Sequence, residues 1–417
     1  MPIFRRLSDS KLIKNLSWMM FAEALSRVSR FVTLFVLAAH FSNSEYGLAM
    51  LALVIHEVLR VFTRLGTGAK IIQCQQNELL DTLQNAASLQ WLAVLLIAFI
   101  QICIADWIAT YYKQPLLGDL LRVMALAHLF YPVVTVRIFE QHRQSKLRYY
   151  GIASGLCIAF ENLFIAALVF YGGDVFAVAY AKVAAALVWL GLFIHLPTQV
   201  KLYCWQRDIQ KSLMAFSFKT LMSEMSRTLR FQADSLFAAR ILSPELFGLY
   251  SFAKSAGWGI GQSLSSAYLS SIYPHLCEQV RAKTLEQGKK QIWHLNAIVC
   301  SLFLVQAISA QFYVEWLFNE RWSDAVNLVS ILCLVSIPTL LIDQYGLVYR
   351  ALNQTFFEMK IILFCTGLLI FCLMTLQPNT LYGIAYTVLG CSIIWCALMK
   401  LKPPKSIYPT LLRVKTI

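Results

Sequence analysis

Apolar runs of about 20 residues follow one another along the whole of this chain, separated by short polar or basic stretches. In lipid such a run has no water for its backbone N–H and C=O groups, so each run must close its hydrogen bonds within itself, as a helix. Twelve spans are expected, at 15–40, 46–65, 83–105, 117–136, 151–171, 175–196, 214–239, 247–273, 291–313, 326–348, 360–376 and 380–399. Composition agrees: 14% of residues are charged and 58% hydrophobic, whereas soluble domains carry about a quarter charged. A transmembrane β-barrel is excluded, because its strands would show about ten residues of alternating pattern. The expected fold class is an all-α polytopic membrane protein, with no room for a soluble ATPase or glycosyltransferase domain.

The net charge of +14 would suggest nucleic acid in a soluble protein, but its distribution points elsewhere. With the N-terminus inside, 23 Lys and Arg residues fall on the cytoplasmic side, against three (Lys113, Arg240 and Arg321) on the other. The positive-inside rule then sets the orientation, with both termini cytoplasmic. The first apolar stretch is too long and too charged for a cleavable signal peptide. The eleven cysteines lie mostly within spans, without C-x-x-C or Cys/His ligand spacing, and read as packing residues.

Against this apolar background two strings stand out. SRVSRF runs from Ser26 to Phe31, and SRTLRF from Ser226 to Phe231. A glutamate precedes each (Glu23, Glu224), and a turn-like string follows each: SNSEYGL ending at Leu48, SPELFGL ending at Leu249. An arginine at the centre of a membrane helix costs about 2.5–3.5 kcal/mol even on the lenient insertion scale. Two per helix, in two related helices, imply a duplicated protein whose halves face a watery, positively charged cavity. A repeat across six spans keeps its orientation, so the halves, 1–200 and 201–417, are expected to be parallel six-helix bundles related by an axis along the membrane normal.

Helical spacing gathers the charges into faces. Glu23, Arg27 and Arg30 fall within an arc of about 60°. Glu57, Arg60 and Arg64 do the same on the second span. Arg227, Arg230 and Asp234 share a face of the seventh, with Glu224 at its border. Lys254, Arg122 and Lys182 add cations; Glu161 and Asp343 add buried acids. The candidate substrate-binding residues are Arg27, Arg30, Arg60, Arg227, Arg230 and Lys254. An arginine fork binds phosphate oxygens bidentately, and a close contact is worth about 4 kcal/mol at an effective dielectric of 20. Glu23, Glu57, Glu224 and Asp234 are candidate ion-coupling residues or charge partners; a carboxylate beside arginines suits the second role better. The alternative for every one of these groups is an internal salt bridge tying helices together. Arg64 suits snorkelling to the inner interface, and His56 suits a hydrogen-bonded packing role. GWGIGQ, from Gly257 to Gln262, follows no strand and reads as close helix packing or a hinge. Pro132 and Pro338 read as kinks. No nucleophile constellation, metal motif or Walker loop is seen, so no enzymatic chemistry and no cofactor is expected.

A polar-faced first span, SNSEYGL, an amphipathic second span ending in Gly66, SPELFGLYSFAKSAG and then IYP at Ile272 to Pro274 together resemble one family. It is the polysaccharide-transport branch of the multidrug/oligosaccharidyl-lipid/polysaccharide exporter superfamily, the Wzx-type flippases. The resemblance implies two six-helix bundles, alternating access, and movement of a polyprenyl-diphosphate-linked oligosaccharide, an O-antigen or exopolysaccharide unit, across the bacterial inner membrane. The partners expected are that cargo and membrane lipids, with a polysaccharide polymerase and glycosyltransferases beside them, and no nucleic acid. One rival reading is a cation-coupled multidrug exporter of the same superfamily, which would want an acidic, aromatic cavity. The other is a non-transporting scaffold for polysaccharide assembly, which gains nothing from buried arginines.

The basic asymmetry makes a topological prediction. Reporters fused after Lys146 and Lys283 should report cytoplasmic placement, and those at Asp174 and Asn379 periplasmic placement. A reversed signal at either of the first two sites refutes the twelve-span topology.

Overall fold

A computed structural model describes the backbone from 11 to 401, except 64, 145–146, 201–203, 283–284, 319 and 353–354, with side chains from Ala24 onward at most of these positions. The helices are α1 (Lys11–His40), α2 (Asn43–Arg60), α3 (Thr67–Gln73), α4 (Leu79–Tyr112), α5 (Pro115–His128), α6 (Tyr131–Arg143), α7 (Leu147–Phe170), α8 (Phe176–Phe193) and α9 (Arg207–Ile241). They continue with α10 (Pro244–Lys254), a π-helical turn (Ser255–Gly259), α11 (Ile260–Ala282), α12 (Leu285–Leu317), α13 (Val326–Ala351), α14 (Thr355–Leu376) and α15 (Leu381–Leu401). No strand occurs among the described residues, and all twelve expected spans are helical over most of their length. The protein is an all-α polytopic membrane protein.

Among the described residues, eight helices are long and apolar enough to cross a membrane, or nine if α5 and α6 form one span. The three expected spans outside that set are α1, α9 and the run from α10 to α11. α1 has 30 residues and α9 has 35, about 45 and 52 Å of helix, and these two carry the repeated Ser-Arg strings, while α10 ends in Lys254. α5 and α6 meet at a 44° bend, where Pro132 occupies the first turn of α6 and removes a backbone donor.

By contact the chain divides into two compact units, Met1–Ser251 and Phe252–Ile417. This division falls within α10, elsewhere than the repeat-based division at 200/201, because α9 packs on α2 and α4 of the first unit. In that unit α1 lies along α7, α4 along α5, and α8 against both α5 and α7. In the second unit α13 is central, touching α11, α12, α14 and α15. Ile308, Phe312 and Trp316 of α12 are 76%, 73% and 85% exposed, an apolar stripe suited to hydrocarbon rather than water.

The two turn-like strings are helix starts. Ser42 caps α2 in a reciprocal capping box, its N–H donating to Glu45 Oε2 at 2.8 Å while its hydroxyl accepts from the Glu45 N–H at 3.3 Å. Ser243 Oγ accepts the Leu246 N–H at 3.3 Å at the start of α10. The two helix starts then meet glycine to glycine. A Cβ on Gly47 would stand 2.9 Å from the Pro244 carbonyl oxygen, and one on Gly248 would strike the Asn43 carbonyl. Pro244 and Asn43 are equivalent positions in the two strings, so the contact is reciprocal. The GWGIGQ segment likewise packs closely, since a Cβ on Gly257 would lie 2.8 Å from the Val329 carbonyl oxygen.

Gly248→Ala should therefore cost about 1–3 kcal/mol through overpacking and lower the unfolding temperature of the detergent-purified protein. Gly390→Ala, with nothing within 4 Å, should leave it unchanged or raise it, since alanine favours a helix interior by about 1 kcal/mol. Equal effects of the two substitutions refute the close approach.

Candidate functional site

On α1 the serines and the arginines lie on adjoining faces. Ser26, Ser29 and Thr33 are buried. The Ser29 hydroxyl accepts from Asn162 Nδ2 at 3.0 Å, and the Thr33 hydroxyl stands 2.7 Å from the Asn162 carbonyl oxygen, which fixes α1 to α7. Arg27 is half-buried and Arg30 exposed on the adjoining face. The Glu23 side chain and Arg64 lie outside the described residues. On α9, Glu224, Arg227 and Arg230 are half-buried, and the Arg230 guanidinium lies 4.8 Å from the Phe231 ring centre. Asp234, on the same helical arc, is fully buried and accepts a 2.7 Å hydrogen bond from the Tyr250 hydroxyl. Accessibility thus separates Asp234 from the arginines that share its arc.

A second charged group forms where α2, α7 and α8 converge. Glu57 Oε2 accepts from Arg60 Nη2 at 2.7 Å, one turn away on α2. Lys182 Nζ of α8 lies 2.6 Å from Glu161 and 3.5 Å from Glu57 Oε1. Helical spacing predicts the Glu57–Arg60 neighbours, but Lys182 and Glu161 come from other helices and no sequence signal marks them as partners. Beside this group His56 and His128 are buried and stacked, ring centres 4.7 Å apart. The buried Gln101 amide lies within hydrogen-bond distance of both rings and donates to the Leu121 carbonyl at 2.7 Å. Arg122 pairs instead at the start of α5, with Asp119 at 2.8 Å and with Asp106.

Lys254 belongs to the second unit. It ends α10 with its ammonium 5.1 Å from the Trp258 ring centre. The π-turn that follows interrupts the regular ladder, and its carbonyls are served from α12. Gln306 Nε2 donates to Ala256 O at 3.3 Å and Gly257 O at 3.1 Å, and the Tyr313 hydroxyl donates to Ala256 O at 3.2 Å. Such turns cluster at functional sites; here the closely spaced glycines after Lys254 were the sequence signal. A cavity of about 290 Å³ near Gly47 is lined by Leu51, Tyr112, Arg240 and Phe247 among others, and by none of the expected site residues. Among the described residues no group of three or more His, Cys, Asp or Glu side chains is placed to hold a metal ion.

Two helices thus carry arginine-bearing polar faces in an all-helical protein rich in apolar spans. The profile of a family described as "polysaccharide biosynthesis protein" matches residues 36–327. The chain belongs to that family. It is 22% identical over 327 residues to a succinoglycan biosynthesis transport protein of Rhizobium meliloti (strain 1021), covering 77% of this chain and 65% of that relative. The match therefore spans just under two thirds of the relative's length. Among solved structures, an inward-facing multidrug resistance MATE transporter of the MOP superfamily superposes with a TM-score of 0.67 at 12% identity, covering 94% of this chain and 97% of that one. The lipid II flippase MurJ in an inward closed conformation gives 0.68 at 13% identity, covering 92% and 87%. At such identities the likeness is one of fold.

Because Asp234 is fully buried, its bond to Tyr250 can be tested directly. Tyr250→Phe should cost about 1.5–3 kcal/mol, the range for hydrogen bonds to charged groups, read as a lower unfolding temperature of the purified protein. An unchanged temperature refutes the bond.

Proposed function

We propose that this protein is a flippase of the bacterial inner membrane, carrying a polyprenyl-diphosphate-linked oligosaccharide from the cytoplasmic to the periplasmic leaflet by alternating access. One observation carries the reading. Arg27, Arg30, Arg227 and Arg230 are all at least partly accessible at mid-helix, on the two helices that carry the repeated Ser-Arg strings. An accessible arginine at that depth requires water or an anion beside it. A diphosphate supplies the matching charge, and the guanidinium fork its geometry. The family description and the succinoglycan relative support a polysaccharide precursor as the cargo.

In this reading the four arginines bind the diphosphate while the sugar occupies water and the polyprenyl tail stays in lipid. Arg60 is a further cation of the first unit and Lys254 one of the second. Glu23, Glu57, Glu224 and Asp234 are charge partners or ion-coupling groups. The repeat-based halves, 1–200 and 201–417, are the units of duplication. The O-antigen or exopolysaccharide unit comes from glycosyltransferases inside and passes to a polymerase outside.

Charge should then matter more than shape. In a strain whose surface polysaccharide depends on this protein, Arg27→Lys and Arg227→Lys should keep partial export. The corresponding alanines should lose most of it and the glutamates all, at normal membrane abundance. A purely structural pairing predicts the opposite signature: a buried charge stripped of its partner costs about 3–5 kcal/mol, and abundance falls. Normal export from the double variant Arg27→Ala/Arg227→Ala refutes the binding role.

A further inference from the structure

Lys113, Arg240 and Arg321 are the three basic residues expected on the outer side, and two of the three line one cavity. This cavity, of about 290 Å³, lies where α4 and α9 end, α5 and α10 begin, and Gly47 of α2 meets the Pro244 carbonyl. Among the described residues no Asp or Glu lines it. The acids of the neighbouring turns are engaged elsewhere, Glu45 in the Ser42 capping box and Asp106 and Asp119 with Arg122, or stand exposed, as Glu245 does. Helix starts and helix ends both meet here, so backbone dipoles of opposite sign lie side by side and the two side-chain charges set the field. The Arg240 guanidinium lies 4.9 Å from the Tyr111 ring centre and makes no ion pair among the described residues. Such stacking uses the flat face of a guanidinium and leaves its N–H edges to bind oxygen anions. Lys113 ends α4 in the left-handed conformation, at φ 56°, where glycine is the usual residue. A glycine would end the helix with less strain; the lysine adds a charge beside the cavity. Each cation complements the negative end of its own helix, but that does not explain why two of them converge on one cavity without an acid.

Size and surroundings select the anion. Small-molecule sites run to about 300–1,000 Å³, so this cavity has room for a phosphate headgroup and not for an oligosaccharide. α4 shows where the headgroup comes from. Phe99, Cys103, Trp107 and Tyr111 follow one another at four-residue spacing, a slowly turning stripe, and all four are exposed. Trp107 and Tyr111 are stacked, ring centres 5.7 Å apart, and exposed Trp and Tyr gather at headgroup depth in a membrane. Tyr111 is also the ring on which Arg240 stacks. A lipid whose chains lie along this stripe has its phosphate beside Arg240. We propose that the cavity binds the phosphate of an anionic phospholipid from the leaflet at this end, with Arg240 and Lys113 holding the phosphate oxygens and Tyr111 and Trp107 the adjoining part of the acyl chains. Basic pockets between membrane helices recognise anionic lipid headgroups by the same charge matching. The bound lipid ties the α4–α5 turn to the α9–α10 turn across the contact between Gly47 and Pro244. This site is separate from the mid-helix arginines and independent of the cargo.

The test uses the full-length wild-type protein in phosphatidylcholine nanodiscs, with or without one lipid in five replaced by phosphatidylglycerol. Phenylglyoxal modification is read by peptide mass spectrometry, with Arg207 at the other end of α9 as the reference in the same sample. Phosphatidylglycerol should slow modification of Arg240 at least threefold relative to Arg207. No protection of Arg240 overturns the proposal. Equal protection by inorganic phosphate in pure phosphatidylcholine reveals a free-anion site and overturns the lipid assignment. A second measurement follows unfolding in detergent. Phosphatidylglycerol should raise the unfolding temperature of the wild type by several degrees more than phosphatidylcholine does. In the double variant Lys113→Gln/Arg240→Gln that difference should fall below a third of its wild-type size. Arg207→Gln/Lys211→Gln, which removes the same charge at the opposite end of α9, should keep it. Equal differences in the two double variants overturn the proposal. Should Lys113→Gln/Arg240→Gln fail to accumulate, protection of Arg240 in the wild type decides by itself.

Discussion

In hydrocarbon a charged side chain has no water to turn to, so it must be answered by an opposite charge or by a cavity the protein keeps wet. The arrangement of the first unit follows from that constraint. Glu57, Arg60, Glu161 and Lys182 answer one another across α2, α7 and α8. Asp234 is answered by a tyrosine hydroxyl from α10. Arg30, which lies exposed on α1, is left to face the space outside its helix. Helices that carry such groups cannot be interchanged with neighbours that do not, so the charges dictate which helix faces which.

The fold was legible because hydrophobic runs are local: a window of about 20 residues declares a span without reference to the rest of the chain. The exceptions are informative. α1, α9 and the run from α10 to α11 formed helices as expected, and they carry the charges that singled them out in the sequence. The candidate site was legible only as far as helical geometry reaches. Spacing on one helix paired Glu57 with Arg60, but Lys182 lies 125 positions along the chain from Glu57, a distance no single-helix argument spans. The arc that grouped Asp234 with Arg227 and Arg230 was sound as geometry. It said nothing of depth, which depends on what packs above each residue. The π-turn after Lys254 was foreshadowed by its glycines but not by any pattern that distinguishes a π-turn from close packing.

The two glycines bring matching positions of the two strings together in space. Gly47 and Gly248 have no Cβ, and each backbone approaches the other at a point where any side chain would collide. The two helix starts form by different means. Ser42 uses a full capping box with Glu45, whereas Ser243 precedes a proline. Their capping chemistry differs, while the close approach is reciprocal. Packing across that contact therefore constrains both positions jointly, and local helix initiation does not.

The polar seam between α1 and α7 carries a consequence for biogenesis. α1 leaves the ribosome before α7, and the Asn162 groups that meet Ser29 and Thr33 follow 133 and 129 residues later. At about 5–20 residues per second, this is a delay on the order of ten seconds. Throughout that interval α1 lacks the partner that completes its buried face. Its buried polar face is completed only on the arrival of α7, so α1 is secured no earlier than a helix made well after it.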